Sequence, residues 1–236
     1  MKDKKIIIES MINVLDYEVN NKKSLTKEWI NYRIGLFMNY TLKSLKLQTN
    51  QNYIVYVKYT DNTEDLIQEA LSKYDKLPAN IEFIRNSKYA SKLKQDIVGF
   101  KKLYLIRLDS DDMYHKSYIQ QMYDYVPHKN TKILVNQSGY IYDSIQKRLA
   151  KYFYIAPPFY TQIYNTNKFL KGERHWLRIG HKWIVKQPHE IVGVNNFILH
   201  AHSNNTRTVF DEKFKKGIIK NKSEVEKILR EFIGKG

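Results

Sequence analysis

Apolar runs and polar gaps alternate along this chain. Residues 5–14 (KIIIESMINV) predict a first strand, and residues 15–26 (LDYEVNNKKSLT) read as a polar turn. Thr26 is placed to cap a helix from about 27 to 46, with Trp29, Arg33, Phe37 and Leu45 among its longer side chains. Residues 53–59 (YIVYVKY) predict a second strand, ending in Thr60-Asp61-Asn62-Thr63. Leu66, Ile67, Ala70 and Leu71 fall at helical spacing in a segment of about 64–75, which Pro78 brings to an end. A short strand at 81–84, a helix at 87–99 and a fourth strand at 103–108 follow.

This is β-α-β-α-β-α-β within the first 110 or so residues. Such alternation predicts an α/β, Rossmann-like, mostly parallel sheet with helices on both faces. The pattern then changes. Residues 132–156 read as strands turning at Gly139, 157–172 as loop and helix, and Gly180–Val194 as strand or loop. Residues 197–202 (FILHAH) read as another strand. The tail 222–233 predicts a helix with Val225, Ile228, Leu229 and Phe232 on one face, whose simplest use is to close the domain. The expectation is a single domain over 1–236, with a nucleotide-sized half at about 1–112 and a mixed acceptor-side half at about 113–236.

The most informative stretch is Leu103–Asp112, LYLIRLDSDD, in which an apolar run ends abruptly in Asp109, Asp111 and Asp112. In open α/β sheets ligands bind at the carboxyl ends of the strands. Carboxylates spaced D-x-D can converge on one hard divalent cation, leaving its other positions to water and substrate phosphates. The competing reading is a helix N-cap with acidic first-turn residues. Asp61, at the end of the second strand, has the same ambiguity between a ligand contact and an Asx-turn.

Composition narrows the setting. With no cysteine, neither disulfides nor thiolate chemistry is available. The apolar run in MKDKKIIIES is too short for a signal peptide, and no stretch approaches the roughly 20 apolar residues of a membrane span. A cytoplasmic location, with contact at the inner face of the membrane as an option, is the expectation. The net charge of +16 suits nucleic acid, an anionic membrane surface or anionic substrates. It is spread along the chain and densest at Lys213, Lys215, Lys216, Lys220 and Lys222, where a solvated basic face is the simplest account. Tyrosine is abundant, with 19 residues, but those at Tyr53, Tyr56 and Tyr104 sit in apolar runs that packing explains.

The strand-end acids beside a nucleotide-sized α/β half resemble the GT-A glycosyltransferases. The match extends to a family of putative rhamnosyltransferases. Trp29-x-x-x-Arg33-x-x-x-Phe37 resembles its W-x-x-x-R-x-x-x-F element, and Thr41–Asn50 is similar to a segment ending in Q-T-N. Arg107–Asp112 resembles its R-L-D-x-D-D block, with Tyr59–Thr63 at its Asp-rich turn. Gly139-Tyr140, Pro158-Phe159 and His202-Ser203-Asn204-Asn205 echo a G-Y, a P-F and a late H-x-x-N, so the resemblance runs from about residue 10 to 207.

The resemblance implies a glycosyltransferase of hexosyl or deoxyhexosyl type, dependent on Mn²⁺ or Mg²⁺, that uses a nucleotide-diphosphate sugar. It points to Asp109, Asp111 and His202 for the metal, and to Asp61, Arg33, Asp109 and Asp112 for the donor. His200 and His202 alternate on one strand and so are expected to share a side. Many inverting members of the wider superfamily carry an acidic pair in the second half. Here only Gly172-Glu173-Arg174-His175 stands there, so Glu173, His175 and His181 are the candidates for a general base. The implied acceptor is a glycan, wall polymer, lipid-linked molecule or protein. The rival class is a nucleic-acid-binding protein, or a metal-dependent nuclease or nucleotidyltransferase, using the basic surface; no recognisable nucleic-acid module supports it, and no nucleic acid is expected as partner.

Overall fold

The computed structural model describes residues 2–13, 22–175, 180–193, 195–203, 205 and 208–234. Most of the turn expected at 15–26, as well as Asn204 and Val194, therefore lie outside the described residues.

The chain runs β1 (Lys2–Met11), α1 (Lys27–Leu36), a π-helical turn Phe37–Thr41, α2 (Leu42–Lys46), β2 (Ile54–Tyr59), α3 (Glu64–Leu71), β3 (Ile81–Arg85), α4 (Asn86–Ile97) and β4 (Phe100–Arg107). The second half adds β5 (Met113–Tyr114), α5 (Tyr118–Asp124), β6 (Ile133–Val135), β7 (Ser138–Asp143), β8 (Arg148–Phe153), β9 (Tyr160–Asn165) and α6 (Thr166–Leu170). It closes with β10 (His189–Ile191), β11 (Phe197–Ala201) and α7 (Lys222–Ile233).

A seven-stranded sheet has the order β10-β6-β9-β4-β1-β2-β3. Its β1, β2, β3 and β4 are mutually parallel, as the alternating pattern predicts. The continuous run Ile6–Ile8 is explained by burial from both sides. Ile6 and Ile8 face a layer that takes in Ile30 and Ile34 of α1, while Ile7 faces Tyr89, Leu93 and Ile97 of α4. Helices thus cover both faces.

The strand β9 is the main departure from expectation, since 157–172 reads as loop and helix. It lies inside the large sheet, antiparallel to both β4 and β6. Its sequence YTQIYN hides it, because a polar Thr161 stands in a buried position where its hydroxyl pairs with Tyr118 Oη at 3.0 Å. The central sheet is therefore completed by strands from the second half of the chain.

A smaller sheet, β5-β11-β7-β8, stands beside it. α7 lays Val225, Ile228, Leu229 and Phe232 against Met113, Tyr142, Leu149 and Ile198 of this sheet, so the amphipathic tail does close the fold. Asn221 caps it, its side-chain oxygen accepting from the N–H groups of Ser223 and Glu224. Within the small sheet Gly139 meets the neighbouring strand closely: a Cβ there would fall 2.6 Å from both the ring and the carbonyl oxygen of Phe197. Backbone cannot swing aside as a side-chain tip can. Gly139→Ala should therefore lower unfolding stability by about 1–3 kcal/mol, read by urea titration.

Candidate active site

β4 ends at Arg107, and the ladder is carried one step further by Leu108 N–H to the Glu9 carbonyl at 3.0 Å. The chain then turns, closed by Asp112 N–H to the Asp109 carbonyl at 3.0 Å. It passes directly into β5, and α5 begins only at Tyr118. The acids therefore do not cap the following helix, and Asp112 has another task. Its Oδ1 accepts the backbone N–H of His200 at 2.9 Å, tying the acidic loop to β11. Thr41, in the π-helical turn, donates its hydroxyl to the Asp112 carbonyl at 2.8 Å and fastens the loop from the other side. Ser110, Asp111 and Asp112 are all buried.

Asp111 is the hub. Arg33 grips it with Nη1 to Oδ2 at 2.9 Å and Nη2 to Oδ1 at 3.3 Å, and also donates to Ser110 Oγ at 2.5 Å. Trp29, one helical turn before Arg33, lies with its ring 5.7 Å from the guanidinium. His202, just past β11, sets Nε2 2.8 Å from Asp111 Oδ2 and Nδ1 2.9 Å from Tyr32 Oη. Asn205, the last residue of the H-x-x-N, accepts the His202 N–H and donates to the His200 carbonyl at 3.2 Å. The late motif is therefore a local clamp that aims the histidine.

Burial opposes charge on Asp111, but the His202 hydrogen bond and the Arg33 guanidinium hold its carboxyl well below the usual carboxylate range. Asp112 goes the other way. Burial first, then the charges of Asp111 and Asp109, push its pKa up and favour the protonated acid. His200 donates from Nδ1 to the Asp111 carbonyl at 3.1 Å, and burial lowers it to about 4, so its ring is neutral. His200 Nε2 has no hydrogen-bond partner among the described residues.

Arg33, Asp111 and Asp112 line a cleft of about 710 Å³, a size that suits a cofactor- or substrate-sized ligand, with His202 buried just behind them. Trp29 and Asp109 line it as well, as do Tyr152, Tyr154, His181, Lys182 and Val209. Asp109 is half-exposed and pairs with Arg107 at 3.1 Å.

The structure thus brings Arg33, Asp109, Asp111, Asp112 and His202 together. Asp61 stands apart from the cleft lining. Its carboxylate takes the Ser87 N–H and hydroxyl at the start of α4, and those hydrogen bonds lower its pKa. Among the three base candidates, His181 lines the cleft. His175 is buried away from it, stacked 4.1 Å from Tyr164 and bonded through Nε2 to the Ile163 carbonyl at 2.8 Å. Glu173 is exposed on the turn after α6. The pattern of residues gives no sign of Tyr32, which orients His202, or of Ser110, which meets Arg33; the only hint of Ser110 is its place inside the D-x-D.

The donor chemistry can be tested for a metal. Among the described residues no group of three or more His, Asp or Glu side chains is placed to hold one. Asp111 Oδ2 and His202 Nε2 are nevertheless a converging oxygen–nitrogen pair. At 2.8 Å from a carboxylate oxygen, Nε2 donates its proton to Asp111; with that proton displaced and one carried on Nδ1 toward Tyr32, Nε2 would be open as a ligand. The pair would then offer one oxygen and one nitrogen ligand to a cation such as Mn²⁺ or Mg²⁺.

The sequence profile of the family described as "Putative rhamnosyl transferase" matches residues 13–212. No curated protein matches the chain in sequence. Among solved structures, S. aureus TarS 1-349 in complex with UDP is 13% identical with a TM-score of 0.45, covering 85% of this chain and 61% of that one. The longer S. aureus TarS chain is 11% identical with a TM-score of 0.44, covering 84% and 37%. A putative nucleotide-diphospho-sugar transferase from Desulfovibrio desulfuricans G20 is 12% identical with a TM-score of 0.36, covering 81% and 80%. The chain therefore spans 37% of that longer TarS chain.

Proposed function

The chain belongs to the putative rhamnosyl transferase family, and on that premise we propose that it transfers a hexosyl or deoxyhexosyl group from a nucleotide-diphosphate sugar to an acceptor hydroxyl. The observation that carries this reading is the buried Arg33–Asp111–His202 cluster at the carboxyl ends of the parallel strands, beside Asp109 on the floor of a large cleft. The donor diphosphate lies against this floor. Asp111 and His202 are the residues that would hold Mn²⁺ or Mg²⁺, and such an ion would supply positive charge beside the departing diphosphate. Arg33 adds a planar, positively charged group to the same place. Asp112 fixes the floor by tying the acidic loop to β11 through the His200 N–H.

The acceptor enters against Tyr152 and Tyr154. His181 serves as general base. Its Nδ1–H donates to the Ala156 carbonyl at 2.5 Å, which leaves Nε2 with a free lone pair. In the transfer step the acceptor oxygen bonds to the anomeric carbon, its proton passes to Nε2, and the bond to the diphosphate breaks. His181→Gln should lower kcat by about 100-fold with little change in KM for the donor. Burial lowers the His181 pKa, so the acidic limb of the wild-type kcat profile should fall below pH ~6.5 and vanish in the variant.

The direct experiment is incubation with a panel of nucleotide sugars, following release of nucleoside diphosphate with and without added acceptor glycans. Release from one donor is the expected result. No release from any donor, with or without Mn²⁺, would remove the proposal.

A further inference from the structure

At the end of β8 three consecutive apolar residues stand in solvent: Phe153 is 64% exposed, Tyr154 41% and Ile155 61%. β8 is an edge strand of the small sheet. Its outer side is covered only in part. Ala150 bridges to Ile218, and Gly217 packs on the Lys151 backbone, but the cover stops there. The inner side is tied down through Tyr154 N–H to the Gln137 carbonyl at 3.1 Å and Gln137 Nε2 to the Ile155 carbonyl at 2.8 Å. The strip is therefore firmly held rather than frayed. Tyr154 and the 64%-exposed Val209 also line the cleft, so the strip continues its mouth.

Basic turns flank it on both sides. The 3-10 turn Gly180–Lys186 carries exposed Lys182 and Lys186, and its His181 ring lies 6.5 Å from Tyr154. The 3-10 turn Glu212–Gly217 carries exposed Lys215 and Lys216, and its Phe214 ring lies 5.8 Å from Tyr152. Lys151 lies on the strand itself, exposed. Lys215 pairs with Glu212, whereas Lys151, Lys182, Lys186 and Lys216 form no ion pair among the described residues. A rigid apolar strip between uncompensated cations complements a surface that is apolar just below a layer of negative charge. A second copy of this chain fits less well, since it would bring another +16 against the same cations. Among the described residues no helix is long and apolar enough to cross a membrane, so the contact would be at the surface.

We propose that Phe153–Ile155 and the flanking lysines dock the protein on an anionic lipid bilayer, with the cleft mouth turned toward it. On the transferase reading, the acceptor hydroxyl then belongs to a lipid-linked molecule in that bilayer.

The test is co-sedimentation of the full chain with vesicles of phosphatidylcholine alone and of phosphatidylcholine mixed with phosphatidylglycerol. Binding is expected to the mixed vesicles only and to weaken as salt is raised. The double variant Phe153→Ser/Ile155→Ser should lose binding by tenfold or more, and Lys186→Glu and Lys216→Glu by about fivefold each. Neither apolar residue lies in the cleft lining, so nucleoside diphosphate release from a soluble donor should be unchanged in the double variant. That readout separates failure of the docking surface from failure of the transferase reading. Equal binding to both vesicle types, no binding to either, or unchanged binding by the double variant would overturn the proposal. So would a double variant that is monomeric where the wild type is a dimer, because the strip would then be an interface between copies.

Discussion

Asp111→Asn should lower kcat of the proposed sugar transfer by about 100- to 1,000-fold while the protein still folds. The substitution keeps the shape of the side chain and removes its charge. That charge is the point at which Arg33, His202 and, on the proposed mechanism, the cation all meet. An amide can accept one hydrogen bond from Arg33 but cannot balance its charge, so the guanidinium is left half-compensated in a buried place. A stability loss of about 3 kcal/mol should accompany the catalytic one. Asp109→Asn should cost less stability, because Asp109 is half-exposed and its partner Arg107 is part-buried only. Circular dichroism and urea unfolding separate the two losses: a variant with native unfolding and no transfer has lost chemistry alone.

Arg33→Met is the second large effect, and it acts from the opposite side of the same pair. Side chains of Arg33 and Asp111 are only 15% and 10% exposed, so the ion pair is poorly screened. Removing the guanidinium strands the carboxylate, with an expected cost of about 3–5 kcal/mol in unfolding free energy. Arg33→Lys should recover only part of this, since an ammonium cannot span both carboxylate oxygens and Ser110 as the planar fork does. The double variant Arg33→Met/Asp111→Asn should be less destabilised than the sum of the two singles, by about 1 kcal/mol or more. Additive losses would mean that the two residues act separately, against the geometry of the pair.

The first half of the fold is legible in the sequence because its strands are buried on both faces and read as unbroken apolar runs, with Ile6–Ile8 and Leu103–Ile106 as the clearest. Pattern reading fails at β9 for the converse reason: a strand in the middle of the sheet can carry Thr161 and Gln162 if groups from elsewhere satisfy them, and Tyr118 and His175 do. The acidic block is legible as a strand-end cluster. Its environment is not, since the helix-cap reading needs a helix to start at once, and a two-residue strand intervenes before α5. Alternation predicts a shared side for His200 and His202, and their rings do lie 5.2 Å apart, both at Asp111: His202 meets its carboxylate, and His200 its backbone carbonyl, with Tyr40 packed 4.1 Å from the His200 ring. Partners that come from distant chain, such as Tyr32 for His202, leave no mark in local sequence at all. The same holds for Tyr152, Tyr154 and His181, which enter the cleft lining only once the small sheet and the 3-10 turn beside β6 and β10 are assembled.

Whether the Asp111 cluster holds the donor diphosphate is tested most directly by a thermal-shift titration of wild type, Asp109→Asn and Asp111→Asn. Each protein meets a panel of nucleoside diphosphates, with and without Mn²⁺. A ligand that binds only the folded state raises the melting temperature by mass action. The expected result is a rise for wild type with one nucleoside diphosphate, larger with Mn²⁺, reduced in Asp109→Asn and absent in Asp111→Asn. An equal rise in all three proteins, or no rise with any nucleotide alongside a salt-sensitive rise with an oligonucleotide, would contradict it.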